Sequence, residues 1–182
     1  MQLSLVMTII GRDRPGLVDT VASRVTEHGG SWLQSRMSRL GGQFAGILRV
    51  EVPRGQEQDL VRSLKSLESQ GLTIVVHADT ADSVQSEKTL SLLEVVGQDR
   101  PGIIRQISHV LAGHGVNVEE LDTQRGSAAM SGEMLFTARA KLRLPESCNV
   151  ADVRKQLEKI ADDLIVEISF QESIASGPSP SR

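Results

Sequence analysis

Two six-residue stretches of this chain have the make-up of a turn that meets an anion: Gly11-Arg12-Asp13-Arg14-Pro15-Gly16 and Gly97-Gln98-Asp99-Arg100-Pro101-Gly102. Each follows a short apolar run and precedes an amphipathic helical pattern. A Gly/Pro turn that opens a helix leaves the first helical N–H groups without intrahelical acceptors, at the positive end of the helix dipole. Carboxylate or phosphate is the chemistry such a turn attracts. Two copies imply two sites, or one site shared between copies.

The elements that must position these turns are themselves repeated. Gly11 recurs as Gly97, an offset of 86 residues, and the same offset carries Leu17-Val18 onto Ile103-Ile104 and His28-Gly29 onto His114-Gly115. A period that long marks a duplicated domain and not a solenoid, whose units are about 20–50 residues. In the first copy, residues 2–10 form a buried strand, Pro15 suits the first helical position, and Leu17, Val18, Val21, Ala22 and Val25 line one helical face. Strands follow at about 32–40 and 43–53, a helix carries Leu60, Leu64 and Leu67, and a last strand runs from Leu72 to His77. The second copy predicts strand 88–96, helix 101–113, strands 116–125 and 133–144, helix 149–161 and strand 164–170. Strand, helix, strand, strand, helix, strand is the ferredoxin-like order of an α+β domain, a four-stranded antiparallel sheet with both helices on one face. The expected limits are 1–78 for the first domain, 79–87 for a linker, 88–170 for the second domain and 171–182 for a disordered tail. The offset grows to 92 between Pro53 and Pro145, so a hairpin tip around 126–131 is enlarged. On the open sheet face of copy one, Ala45 and Ile47 are apolar positions that suit packing against another surface.

Composition narrows the function. A net charge of −3 and a pI near 5.8 argue against a dedicated nucleic-acid surface. Arg36, Arg39, Arg139, Lys141 and Arg143 still form local positive strips. A single cysteine, Cys148, permits no intrachain disulfide and reads as an unremarkable loop thiol. Neither a signal peptide nor a membrane span is evident, so a cytoplasmic location is expected. His28 and His114 sit at matching helix C-termini, where imidazole meets terminal carbonyls, and His77 and His109 lack metal-ligand spacing. The adjacent pairs Glu119-Glu120 and Asp162-Asp163 point in different directions and read as solvated surface. With no nucleophile elbow, phosphate loop or metal-binding helix, neither an enzyme, a cofactor nor a metal is expected.

The repeated Gly-x-Asp-x-Pro-Gly-Leu/Ile opening, with Gly115-Val116-Asn117-Val118 after the second copy's helix, resembles the ACT domain family. The resemblance spans nearly the whole chain except its tail. A free-standing pair with no catalytic domain is similar to the glycine cleavage system transcriptional repressor group, as is Ser131-Gly132-Glu133-Met134-Leu135-Phe136. The family implies an amino acid bound at an interface between two ACT domains, near the first turn and the start of the neighbouring strand. By position this implicates Asp13, Arg14, Gly16 and Ser31 in copy one and Asp99, Arg100, Gly102 and Asn117 in copy two. Ser31 stands where the family often has Asn, which weakens the first site. A zwitterion does need helix N–H donors for its carboxylate and an acceptor, such as an Asn oxygen, for its ammonium. The competing reading is that Asp13 and Asp99 cap helices and the glycines make turns.

The resulting expectation is a transcriptional regulator that senses a small amino acid, glycine by the subgroup resemblance. It would act by gripping a DNA-binding activator protein, without direct nucleic-acid or membrane contact, and as a homo-oligomer in one version. The alternative is an assembly or adaptor module of paired domains that binds no metabolite.

Overall fold

The computed structural model describes residues 1–79, 89–127 and 134–173, which divide between two compact units, Met1–Ser83 and Val84–Arg182. The first contains β1 (Gln2–Arg12), α1 (Leu17–Glu27), β2 (Ser31–Leu40), β3 (Gln43–Pro53), α2 (Glu57–Lys65) running into a 3-10 turn (Ser66–Gln70), and β4 (Leu72–Ala78). The second contains β5 (Thr89–Gln98), α3 (Ile103–Gly113), β6 (Asn117–Ser127), β7 (Met134–Leu144), α4 (Val150–Leu164) and β8 (Val166–Ser173). Their sheets run β2-β3-β1-β4 and β6-β7-β5-β8, with antiparallel neighbours throughout. This is the α+β, ferredoxin-like arrangement that the sequence predicts. Most of the linker, the centre of the enlarged hairpin tip and the chain beyond Ser173 lie outside the described residues.

Each core is aliphatic because strand alternation and helical periodicity converge on it. Leu5, Met7 and Ile9 of β1 and Leu48, Val50 and Val52 of β3 meet Leu17, Val21 and Val25 of α1 and Leu60 and Leu64 of α2. The buried stripe of α3, Ile103, Ile107 and Leu111, repeats that of α1 at the offset of 86. Burying one such side chain is worth about 1.5–3 kcal/mol, so these stripes hold the helices to their sheets. Among the described residues no helix is long and apolar enough to cross a membrane.

Helix ends differ from expectation where backbone conformation decides them. Pro15 and Pro101 lie in the turn, two residues before the first helical position, because Gly16 and Gly102 intervene as N-caps in the left-handed region. At the other end, Gly29 N–H reaches Thr26 O and Gly30 N–H reaches Val25 O, at 2.9 and 2.8 Å. That pattern closes α1 as a Schellman motif, and Gly115 and Val116 repeat it on α3. Asn149 caps α4 through its side chain, which accepts from Ala151 N–H at 3.1 Å. The helix then runs three residues past the expected stop. It ends at Ile165, whose φ of 55° occupies the place of Gly71 (φ 77°) before the last strand.

Asp79, the first linker residue by sequence, is fastened to the first sheet. Its carboxylate pairs with Arg49 at 2.6 Å and accepts from the Ser4 hydroxyl at 3.0 Å.

Two positions in the second domain carry a cost that the first domain avoids. Ser91 occupies the place of Leu5, and its buried hydroxyl has no hydrogen-bond partner among the described residues. Ser91→Ala removes that unpaired group and is expected to raise stability by about 1 kcal/mol. Ile165→Gly relieves a β-branched residue at positive φ, for a gain of about 1 kcal/mol. Thermal denaturation checks both; a lowered midpoint for either variant would contradict the assigned cost.

Candidate functional site

The two Gly/Pro turns are built alike. The N–H of Asp13 donates to Gly42 O and that of Asp99 to Met134 O, both at 3.0 Å, so each turn is tied to the strand hairpin beside it. The Asp13 carboxylate pairs with Arg39, and Asp99 Oδ2 lies 2.7 Å from Arg125 Nε. Neither aspartate caps its helix, which corrects the capping alternative. The N-caps are Gly16 and Gly102, and among the described residues no side chain accepts from the first helical N–H groups of either domain. The N–H groups of the first helical turn therefore face outward without a side-chain acceptor.

The glycines have a nearer cause than ligand approach. Gly16 and Gly102 adopt φ of 89° and 96°, which disfavours any residue with a Cβ, although nothing stands within 3.9 Å of where that atom would be. The first glycine of each motif is demanded by packing. A Cβ on Gly11 would lie 2.7 Å from Gly71 O, and one on Gly97 would lie 2.6 Å from Val166 Cγ1. Capping and packing thus explain the turn's residues, while the open space outside Gly16 and Gly102 leaves the backbone approachable. Arg14 is exposed and Arg100 half-buried, and among the described residues they make only long contacts, to Gln70 and to Gln98. Each adds a loosely held cation to the turn. Beside the second turn, Val96, Gly97, Gln98, Leu135, Ile165 and Val166 line a shallow open depression.

Ser31 and Asn117 lie elsewhere. Along β7, Phe136 faces Gly97 and Arg125, whereas Arg143 faces Asn117. Seven strand steps of about 3.4 Å put Asn117 about 24 Å from the turn of its own domain. Ser31, opposite Glu51, is as far from Gly11, opposite Phe44. The structure thus gathers Asp99, Arg100 and Gly102 at one end of the second sheet and leaves Asn117 at the other. Asn117 does not stand beside the glycine-rich helix start of its own domain.

At that far end the second domain holds a polar cluster. Asn117 Nδ2 donates to Glu119 Oε1 at 2.7 Å, and Arg143 grips the same carboxylate with Nε to Oε1 at 2.8 Å and Nη2 to Oε2 at 3.1 Å. The hydrogen bond from Arg143 to Glu119 raises the arginine's pKa further. A β-bulge between Val118 and Glu120 makes this possible. It lets Glu119 reach Arg143 while Glu120 pairs with Lys141 at 2.9 Å. The adjacent glutamates are therefore both engaged with β7 and are not idle surface. With Arg139 held by Glu94 at 2.8 Å, the positive strip of β7 is neutralised along its length. In the first domain Arg39 is paired as well, and Arg36 is also engaged. The first domain repeats the bulge at Leu33 but has Ser31, Leu33 and Glu51 where the second has Asn117, Glu119 and Arg143.

Arg39 and Arg125 were not expected at the turn, although they stand at the repeat's offset of 86. Glu119 left no such signal, since a bulge is invisible in the alternation of residues. Cys148 is half-buried, and that burial pushes its thiol pKa up, away from reactivity. His28 Nδ1 lies 2.7 Å from Arg24 O, as expected for a helix terminus. Among the described residues no group of three or more His, Cys, Asp or Glu side chains could hold a metal ion.

Glycine conformation should outweigh the turn's ion pair in stability. Gly102→Ala is expected to cost about 1–2 kcal/mol by forcing a Cβ into the left-handed region. Asp99→Ala, which breaks an exposed pair, should cost less than about 1 kcal/mol. Chemical denaturation of the two variants decides, and a larger loss for Asp99→Ala would reverse the assignment.

Comparison with known proteins agrees with this geometry. The family model described as ACT domain matches twice, over residues 4–77 and 89–171. The glycine cleavage system transcriptional repressor of Escherichia coli strain K12 is 24% identical over 164 residues, covering 88% of this chain and 85% of the relative. A crystal structure of a protein of unknown function from Galdieria sulphuraria superposes with a TM-score of 0.82 at 26% identity, over 96% of this chain and all of that one. A provisionally assigned glycine cleavage system transcriptional repressor, at 20% identity, superposes with a TM-score of 0.68 over 95% of this chain and 98% of its own. The chain belongs to the ACT domain family, with two tandem domains, and is related to the glycine cleavage system transcriptional repressors.

Proposed function

We propose that this chain is a regulatory protein that senses a small amino acid, glycine by preference, and acts on transcription through a DNA-binding activator protein. The observation that carries the reading is the helix start at Gly102, left-handed, without a capping side chain and next to the half-buried, loosely held Arg100. Such a turn offers N–H donors and a cation to a carboxylate. The preference for glycine and the transcriptional output rest on the relationship to the glycine cleavage system transcriptional repressor.

The complementary group for an ammonium is the Asn117 carboxamide, and about 24 Å separates it from the turn of its own domain. One domain alone therefore cannot present both halves to one amino acid. A second copy of the chain, set against the first, can. In this reading Asp99, Arg100, Gly102 and Asn117 form the competent site, while Asp13, Arg14, Gly16 and Ser31 form a weaker one, because serine is shorter than asparagine. Asp13 and Asp99 act by holding their turns.

Calorimetry with glycine and the other common amino acids tests this. A ligand at a hundredfold excess over its dissociation constant stabilises the folded state by about 2.7 kcal/mol, a shift that thermal denaturation reads directly. Asn117→Ala should weaken binding by about 1.5–3 kcal/mol, the value of a hydrogen bond to a charged group. Absence of any response at millimolar concentration overturns the sensing reading.

With the strip on β7 ion-paired, the purified protein is expected to leave DNA unbound. Specific, salt-sensitive retention on promoter DNA would refute action through a protein partner.

An adaptor function without a metabolite is the second reading, favoured by the outer face of the first sheet. There Ile10, Ile47 and Val75 are 51%, 55% and 46% exposed. Ile47→Asp, followed by sedimentation, distinguishes the two: the adaptor reading expects assembly to be lost in a protein that binds no amino acid.

A further inference from the structure

We propose that Glu119 and Arg143 are positioning residues that fix the Asn117 carboxamide with its oxygen outward, giving the second domain alone a set acceptor for a ligand ammonium group. The inference rests on the amino-acid reading above and adds to it two residues and an orientation. A carboxylate only accepts hydrogen bonds, so the group that Asn117 turns toward Glu119 must be its NH2. The 2.7 Å contact therefore also decides where the carbonyl oxygen points. Among the described residues that oxygen accepts no hydrogen bond.

Glu119 is fixed in turn. Both its oxygens are engaged by the planar fork of Arg143, and the two side chains are only 24% and 25% exposed. A bidentate arginine-carboxylate pair sets the angle of the carboxylate as well as its place. The bulge supplies the remaining constraint. Glu119 is the extra residue of β6, and its position lets one carboxylate face Arg143 across the ladder and Asn117 along the strand. An exposed asparagine at a strand start would otherwise sample several rotamers, and ordering it would cost affinity at each binding event. The clamp settles that cost on folding. The first domain has the same bulge without the chemistry, since Leu33 can orient nothing and Glu51 would repel a second carboxylate.

Side-chain amide relaxation of Asn117, read by nitrogen-15 NMR, together with calorimetric titration of glycine, tests the proposal. In the unmodified protein the Asn117 amide should show an order parameter near the rigid value of about 0.85. In Glu119→Ala it should fall below about 0.6, with glycine affinity about tenfold weaker. Glu119→Gln, whose amide oxygen still accepts, should keep most of the affinity. Combining Glu119→Ala with Asn117→Ala should weaken binding no further than Asn117→Ala alone, because one residue acts through the other. Should Glu119→Ala unfold by stranding the Arg143 charge, Glu119→Ala with Arg143→Met removes both charges and is scored in the same way. A mobile Asn117 amide in the unmodified protein, or additive losses in the double variant, overturns the proposal. A protein with no affinity for any amino acid overturns the sensing reading and with it the ligand role of Asn117. In that event, loss of amide order in Glu119→Ala would still establish the clamp.

Discussion

A left-handed glycine at the head of the first helix in each domain, Gly16 and Gly102, constrains most of what surrounds it. Because that residue has no side chain, the helix begins without a cap, and its outward N–H groups are a consequence of backbone geometry before they are a feature of any site. Because the chain must swing through positive φ, the preceding proline is pushed out of the helix and into the turn. Because the nearby aspartate is freed from capping, it pairs with an arginine at the end of the second strand. The turn is thereby held at three points: by its own conformation, by a backbone bond to the hairpin, and by an ion pair.

The fold was legible because its signals are periodic and local. Stripes such as Leu17, Val21 and Val25, repeated as Ile103, Ile107 and Leu111, announce a helix and its buried face at once. Alternation in β3 and β7 does the same for strands, and glycine pairs mark the turns. The site was legible only in part. The residues of the turn could be named, but their causes could not: Gly11 and Gly97 answer to a strand packed against them, which no local pattern records. The partnership of Asp99 with Arg125 depends on two segments meeting, and only the repeat's constant offset hinted at it. The bulge at Glu119 was hidden because an inserted residue looks like any other in a charged edge strand. Distance along a sheet was hidden as well, so Asn117 was set beside a turn that lies at the opposite end of its domain.

Duplication gave the two domains one plan and left them free to diverge. The first sheet exposes Ile10, Ile47 and Val75 on its outer face, where the second combines exposed Leu90 and Leu92 with the ion pairs of Arg139 with Glu94 and of Lys141 with Glu120. Leu33 and Glu119 occupy equivalent bulges, so one distortion carries an exposed leucine in one domain and a paired charge in the other. An unchanged backbone can thus be put to two uses by a few side chains, which separates the role of the scaffold from that of its surface.

The buried hydroxyl of Ser91 has a consequence for how the two domains breathe. A strand with an unmatched polar group on its buried face gains more from letting water in than one filled by leucine, so the second core should open locally at lower free energy than the first. Opening of that kind frees β5 from the neighbours that hold the second turn in place. Any molecule that binds only the closed form then draws on an equilibrium that is already accessible, and order in the second domain becomes a variable that occupancy can set.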